Sequence, residues 1–160
     1  MSKRKILISI FPIIFIIFFL VKDYIFCYYA ARNFLTDVKD GNFEQAFNYV
    51  DYYDIGDDVK PEISFEKAKN IWTFRMKNLK NAGVYLIDFK ALTVFKDDGY
   101  PIGDVMIQLS ENGVIKEYKC NIHFTHLTNL VKWRVCDIYG PRHIFLETVG
   151  GYCNEIPSSL

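Results

Sequence analysis

The chain has 160 residues, of which half are hydrophobic and 17% aromatic, and its formal net charge is zero. This length fits one globular domain plus a short targeting segment, and the apolar content excludes an intrinsically disordered chain. Lys3, Arg4 and Lys5 precede the main apolar run, which leaves 16 basic and 19 acidic side chains in residues 22–160, a net charge of −3. Nucleic acid is not expected as a partner, because phosphate binding needs a concentrated basic surface.

Residues 1–27 predict a cytoplasmic basic tip followed by a transmembrane signal anchor. Residues 6–21 are an unbroken apolar run behind the basic tripeptide. Sixteen helical residues span only about 24 Å of a hydrocarbon core of about 30 Å, so we expect the span to extend through Phe26. Tyr28 stands where a cleavage site needs a small residue, so the leader is expected to stay attached, a cleaved signal peptide being the alternative. The basic tip predicts a cytoplasmic N-terminus and an extracytoplasmic domain in the cell membrane.

Three helices are predicted after the span. Residues 28–40 carry one apolar stripe that ends at Gly41, and this helix could continue the membrane helix. Asn42 then begins a short helix with Gln45 three positions on, the pattern of a capping box. After a polar stretch over residues 51–63, Ser64 is predicted to cap the longest helix, which runs to about Asn81. Its apolar stripe consists of Phe65, Ala68, Ile71, Trp72, Met76 and Leu79.

From residue 84 the pattern changes to that of strands. Residues 84–96, 102–110, a segment starting at Val114 and residues 130–139 predict a four-stranded antiparallel meander. The Asn112-Gly113 pair is a hairpin signal. It sets the register of the second and third strands, with Val105 opposite Cys120, Ile107 opposite Tyr118 and Leu109 opposite Lys116.

Alternation in the last strand predicts that Val131, Trp133 and Val135 face the core and that Cys136 faces the other way. Cys120 and Cys136 then lie on opposite faces of the sheet, whereas a disulfide between Cys136 and Cys153 is compatible with the pattern. Residues 140–160 remain unassigned, because they show no regular period.

Three segments carry a resemblance to a known family: residues 31–35 (Ala-Arg-Asn-Phe-Leu), residues 41–47 (Gly-Asn-Phe-Glu-Gln-Ala-Phe) and residues 131–135 (Val-Lys-Trp-Arg-Val). Together with the order of helices and strands over residues 28–139, they resemble the nuclear transport factor 2-like superfamily, also called cystatin-like, in its bacterial membrane-anchored form. The resemblance implies an α+β cone in which three helices pack on a curved antiparallel sheet of about four strands, behind the transmembrane helix. Residues 140–160 would form a tail. The superfamily includes enzymes, ligand binders and assembly modules, so the fold leaves the function open.

No catalytic residue, cofactor or metal site is predicted. His123 and His126 are expected to point to opposite faces of a strand, and His143 lies in the tail, so the histidines do not predict a zinc site. The acidic residues between positions 51 and 58 lack the ligand spacing of a calcium loop. A nucleophile with an adjacent base is also missing from the sequence. The residues that could line a pocket mouth between helix and sheet are Tyr52, Tyr53, Asp54, Trp72 and Tyr118.

The favoured function is a non-catalytic binding or scaffold module that is held at the extracytoplasmic face of the cell membrane. It would bind a partner protein or a small apolar ligand. One alternative is a small pocket enzyme of hydrolase or isomerase type on the same cone. Another is a subunit of an envelope secretion, conjugation or sporulation assembly. That subunit would form a homo-oligomer through the outer sheet face bearing Met106, Ile115 and His123.

Overall fold

The computed structural model describes the backbone of residues 3–53, 60–127 and 132–153 and the side chains of residues 21–53, 60–126 and 133–153. The predicted α+β class is confirmed, with a four-stranded antiparallel sheet in the order β1-β2-β3-β4. The described helices are α1 (Lys3–Asp40), α2 (Phe43–Ala46), α3 (Phe65–Asn81) and α4 (Ile144–Val149), with a 3₁₀ turn at Phe47–Tyr49. The strands are β1 (Val84–Asp97), β2 (Tyr100–Glu111), β3 (Val114–Leu127) and β4 (Lys132–Tyr139).

Helix α1 is continuous for 38 residues, a length of about 57 Å. It ends at Gly41, whose φ of +79° suits a residue without a Cβ. Its C-terminal half packs on the sheet through a stripe of buried side chains: Cys27, Ala31, Phe34, Leu35 and Val38. Across the described residues, no helix has both the length and the apolar composition to cross a membrane. Residues 6–20, which are most of the predicted span, lie outside the residues with described side chains.

Of the two predicted helix N-caps, the one at α3 is confirmed and the one at α2 is wrong. At α3, the Ser64 Oγ accepts a hydrogen bond from the Lys67 backbone N–H at 3.3 Å, which confirms the cap. At α2, the capping-box prediction is wrong, since the Asn42 side chain makes no cap hydrogen bond. It bonds instead to the carboxyl group of Asp37, one turn back in α1.

The two tight hairpins follow the sequence signals. The Asn112-Gly113 turn has φ values of +53° and +85°, and the Asp98-Gly99 turn has +46° and +91°. Both pairs therefore adopt the left-handed conformations that a two-residue hairpin of this twist requires. The predicted register is confirmed at all three pairs, Val105 with Cys120, Ile107 with Tyr118 and Leu109 with Lys116.

Strand β4 contains a bulge at Cys136. His123 pairs with Asp137 and Phe124 with Val135, so Cys136 is the extra residue. Val135 is buried in the core and Trp133 packs against it partly buried, in line with the predicted alternation, while the side chains of Val131 and Lys132 lie outside those described. The alternation does not continue beyond Cys136, because Ile138 returns to the core face three positions after Val135. Cys136 is itself only 8% exposed, since another part of the chain covers it.

That covering segment is the C-terminal tail, which the sequence left unassigned. Helix α4 is capped by His143, whose Nδ1 accepts from the Phe145 backbone N–H at 3.1 Å. The helix buries Phe145, Leu146 and Val149 in the same core as the other elements. Beyond it, Gly151 N–H donates to the Cys136 carbonyl at 2.8 Å. The described part of the tail is therefore packed on the domain.

The outer edge of β4 is covered from two directions. Asp51 N–H donates to the Val135 carbonyl at 2.8 Å, one residue before the bulge. Tyr53 and Cys153 complete the contact between the two covering segments, with Cys153 N–H donating to the Tyr53 carbonyl at 2.7 Å. An edge strand with unpaired backbone groups invites association with other chains, and this cover removes the exposed edge around the bulge.

Candidate functional site: two clefts beside strand β4

The residues predicted to line one pocket mouth occupy separate places. Trp72 is fully buried, and its Nε1 donates to the carbonyls of Val149 and Gly150 at 3.3 and 3.2 Å. Its ring packs among Phe34, Phe43 and Phe47, at centroid distances of 6.2, 6.5 and 5.6 Å. Trp72 therefore fills the interior and fastens α4 to α3.

Tyr52 packs its ring between Phe47 and Phe65, on the helical side of the core. Tyr118 lies on the sheet, where its hydroxyl donates to the Glu111 carboxylate. Tyr53 lies at the edge of β4, and Asp54 is outside the described residues. The structure does not bring the described members of this set around one cavity.

The space between the helices and the sheet is filled by apolar side chains. In the described part of the chain, the fully buried polar side chains are Thr73 and Ser110, and the rest of the buried set is hydrophobic. Neither residue is an acid or a base at ordinary pH. The cavities of interest therefore lie at the surface, one near each end of β4.

The first cavity, here called the aromatic cleft, lies between α1, the 3₁₀ turn and β4 and has a volume of about 260 Å³. Helix α1 supplies one wall, because residues spaced by three and four positions lie on the same face of a helix. The opposite wall comes from the 3₁₀ turn and from the start of β4. The lining residues are Phe26, Tyr29, Ala30, Asn33, Asn48, Tyr49, Trp133 and Arg134.

Contacts with neighbouring segments fix Trp133 and Arg134, the two β4 residues that line the aromatic cleft. Trp133 Nε1 donates to Asp23 Oδ1 at 3.2 Å, which ties β4 to helix α1. The His126 ring packs against the Trp133 ring at a centroid distance of 4.9 Å. Arg134 Nη1 donates to the Val50 carbonyl at 3.4 Å.

Polar side chains also line the aromatic cleft, namely Asn33, Asn48 and Arg134. Among the described atoms, the buried Nε–H of Arg134 has no hydrogen-bond partner. A buried donor without an acceptor costs about 1–3 kcal/mol, but this atom is covered, so a ligand in the cleft would reach it only after the Arg134 side chain shifts. Aromatic walls with a few polar groups suit a ligand that has an apolar body and a carbonyl or carboxylate oxygen.

The second cavity, here called the tyrosine cleft, lies between β4 and α4 and has a volume of about 320 Å³. Tyr53 and Tyr139 both donate their hydroxyls to Asp137 Oδ2, at 3.1 and 3.3 Å. Burial, followed by the charge of Asp137, raises the pKa of Tyr53, which keeps its hydroxyl protonated as a donor. The rings of Tyr53 and Tyr152 pack at 5.5 Å. These contacts join the segments that contain Tyr53 and Tyr152 to each other and to β4.

A third group of polar side chains surrounds Glu111 at the far end of the sheet. Its carboxylate accepts from Lys116 Nζ at 2.6 Å and from the Tyr118 hydroxyl, and these two hydrogen bonds hold the pKa of Glu111 below its usual value. His143 Nε2 lies 3.1 Å from the same carboxylate, and its ring packs on Tyr118. His143 already accepts through Nδ1, so this histidine joins α4 to the sheet.

The remaining candidate ligands are dispersed. His123 packs on Tyr139, and His126 packs on Trp133. Within the described residues, no group of histidine, cysteine and carboxylate side chains is arranged to hold a metal ion. The four cysteines are buried thiols, so the Cys136 to Cys153 disulfide that the pattern allowed is not formed. Burial raises the pKa of the Cys120 thiol to about 11.

The aromatic cleft was not predicted from the sequence. Phe26 was expected at the end of the membrane span, and Trp133 was expected in the core. In the structure, Phe26 and Tyr29 of α1 line the cleft, and Trp133 is only partly buried. The repeat of aromatic residues at positions 26 and 29 was a usable signal of a helix face that meets another element.

No protein-family model, curated protein or solved structure matches this chain. The resemblance to the nuclear transport factor 2-like superfamily therefore stays a prediction.

Proposed function

We propose that this chain is a membrane-anchored, extracytoplasmic binding module without catalytic activity, built on a cone of the nuclear transport factor 2-like type. The aromatic cleft is its binding site. The observation that carries this proposal is the position of the cleft, whose wall is the part of α1 that starts at the outer end of the predicted span. A ligand or partner segment at the membrane surface would reach this cleft first.

The sequence supports the anchor and its orientation. Lys3, Arg4 and Lys5 stand before the apolar run and no basic cluster of that kind directly follows it, which favours a cytoplasmic N-terminus. Anchoring confines the domain to the surface where a membrane-bound partner resides. The resulting local concentration lets a cleft of modest affinity function.

The filled interior favours binding over catalysis. A pocket enzyme of the alternative type would need an acid or base inside the cone, held partly dry near its substrate. Trp72, Phe34 and Phe47 occupy that space instead. The carboxylates at the two ends of the sheet, Asp137 and Glu111, are engaged by tyrosine hydroxyls.

The chemistry of the cleft favours an amphipathic ligand or an apolar peptide segment. Phe26, Tyr29 and Trp133 offer apolar surface, and the lining also includes the polar side chains of Asn33, Asn48 and Arg134. A fatty acid, or a peptide side chain with its neighbouring carbonyl group, has the matching combination.

The anchor is tested by cell fractionation. The full chain should sediment with membranes and resist extraction at alkaline pH, and added protease should reach its domain from outside the cytoplasm. Removing residues 1–21 should release a folded protein, whereas a deletion through Cys27 also removes a buried core residue and is expected to destabilise the domain. Full-length protein in the soluble fraction would contradict the proposal.

The cleft is tested with bromodecanoate, whose bromine quenches tryptophan fluorescence on contact. Full-length protein in phosphatidylcholine nanodiscs should show saturable quenching that disappears in Trp133→Phe, since Trp72 is buried in the core. Asn48→Phe should narrow the cleft mouth and weaken the quenching. Asn78→Phe, at an exposed position on α3, is the matched control and should leave it unchanged. Equal, unsaturable quenching in both asparagine variants would rule out binding in the cleft.

A further inference from the structure

Helix α1 enters the domain without a flexible linker. The helix runs unbroken from Lys3 to Asp40, and Cys27 is already fully buried in the core. Contact with the sheet begins still earlier, because the Trp133 Nε1 hydrogen bond to Asp23 fixes the end of β4 beside the helix. The orientation of the domain therefore follows the orientation of the helix.

The predicted span and the domain overlap along this helix. A hydrocarbon core of about 30 Å needs about 20 helical residues, which from Ile6 extends to about Ile25. Yet Asp23 bonds to Trp133, and the first contacts with the sheet lie within that stretch. If residues 6–25 cross the bilayer, the end of the domain nearest Asp23 has to touch the lipid surface.

The β1–β2 hairpin points toward the same end. Strand β1 runs antiparallel to α1, since Lys39 lies 3.6 Å from Asp88 while Val94 lies with Tyr24 and Tyr28 around a shared groove. From Val94 to the turn at Asp98, four further residues advance about 13 Å along the strand.

This distance along the strand can be converted into a number of residues along α1. About 13 Å corresponds to about nine helical residues, which puts the hairpin turn beside about residue 17 of α1. A strand inclined by about 45° to the helix still advances about 9 Å, or about six residues, and reaches about residue 20. Either position lies on the bilayer side of Ile25, the expected outer end of the span, so the turn extends at least as far as the headgroup region.

The turn carries side chains that suit a lipid interface. Tyr100 is 73% exposed and Phe95 is 40% exposed, while Lys96 is also exposed and can extend its amine toward the headgroups. Tyrosine and other amphipathic side chains concentrate at headgroup level. Asp97 and Asp98 add two negative charges, which fit a zwitterionic surface better than a strongly anionic one.

We propose that residues 95–100 dock on the outer surface of the lipid bilayer, with Tyr100 in the headgroup region, and so hold the aromatic cleft at the membrane. This inference rests on the proposed anchor. The partner is a zwitterionic phospholipid surface, which the rigid α1 helix brings to the hairpin.

The test is a depth measurement with spin labels on the full chain in phosphatidylcholine vesicles. Tyr100→Cys places a label at the β1–β2 hairpin, and Val114→Cys places one beside the β2–β3 turn, at the opposite end of β2. Both positions are exposed, and the native cysteines are buried, so labelling is selective. The ratio of oxygen to nickel-chelate collisions should be severalfold higher at position 100 than at position 114.

A linker variant provides the control for rigidity. A short flexible Gly-Ser insert between Lys22 and Asp23 should release the domain and lower the ratio at position 100 to that at position 114. Fully aqueous values at both positions in vesicle-bound native protein would overturn the docking and leave the anchor standing. Failure of the protein to remain with the vesicles would overturn both, and a rise at position 100 only with added anionic lipid would refute the zwitterionic surface.

Discussion

Replacing Gly151 with alanine tests how the C-terminal segment is held on the bulged edge of β4. A Cβ at this position would lie 1.9 Å from the Asp51 carbonyl oxygen and 3.2 Å from the Cys136 carbonyl oxygen. Both neighbours are backbone atoms, which cannot swing aside as a flexible side chain can. The segment therefore has to move away from β4.

The cost follows from the hydrogen bonds that converge here. Gly151 N–H donates to Cys136 at 2.8 Å, Tyr53 N–H donates to the Gly151 carbonyl at 2.9 Å, and Cys153 N–H donates to the Tyr53 carbonyl at 2.7 Å. At about 1 kcal/mol for each net hydrogen bond, losing all three lowers the free energy of unfolding by about 3 kcal/mol. Burial of Cys153 would be lost with them.

Urea denaturation measures the total loss, and native-state hydrogen exchange locates it. The amides of Tyr53 and Cys153 should exchange much faster in Gly151→Ala than in the native protein. Gly99→Ala is the control, because a Cβ there meets nothing within 4 Å and only the φ of +91° is unfavourable, at about 1 kcal/mol. Unchanged exchange at both amides, or a loss no larger than that of Gly99→Ala, would refute this account of the tail.

Three further substitutions are expected to act through single contacts. Trp72→Phe removes the donor to the Val149 carbonyl and part of a fully buried ring, and the unfolding free energy should fall by about 2–3 kcal/mol in urea denaturation. Ser64→Ala removes the α3 cap and should cost about 1 kcal/mol, with helix content at low urea nearly unchanged. Tyr53→Phe removes a donor to Asp137 and should lower the free energy of unfolding. Because folding raises the pKa of Tyr53, the difference in unfolding free energy between native protein and variant should be constant below about pH 10 and shrink above it. A difference that grows with alkaline pH would contradict that contact.

Local patterns were enough to predict most of the helices and strands. The Ser64 cap, the end of α1 at Gly41 and the Asn112-Gly113 turn each depend on residues within a few positions in sequence. The register of β2 and β3 followed in turn, because a two-residue hairpin leaves one pairing that keeps the apolar side chains on one face. Interactions of this range can be predicted from one sequence.

The candidate site could not be predicted in the same way. The aromatic cleft joins Phe26 to Trp133, more than a hundred positions away, and it exists only because α1 and β4 meet in the folded chain. The proposed pocket around Trp72 failed for a similar reason. A large aromatic residue on a helix face can either line a cavity or fill it, and the packing of Phe34 and Phe47 settled which.

The sequence by itself determined the α+β class, the order of elements and one hairpin register, since these follow from periodicity and turn chemistry. The tertiary structure decided that Cys136 forms a bulge, that the tail covers it, and that the clefts lie beside β4. A bulge changes the face of every later residue in its strand, and its position depends on which distant segment supplies a partner for the extra carbonyl. Such a partner, here Gly151, is specified by the folded chain as a whole.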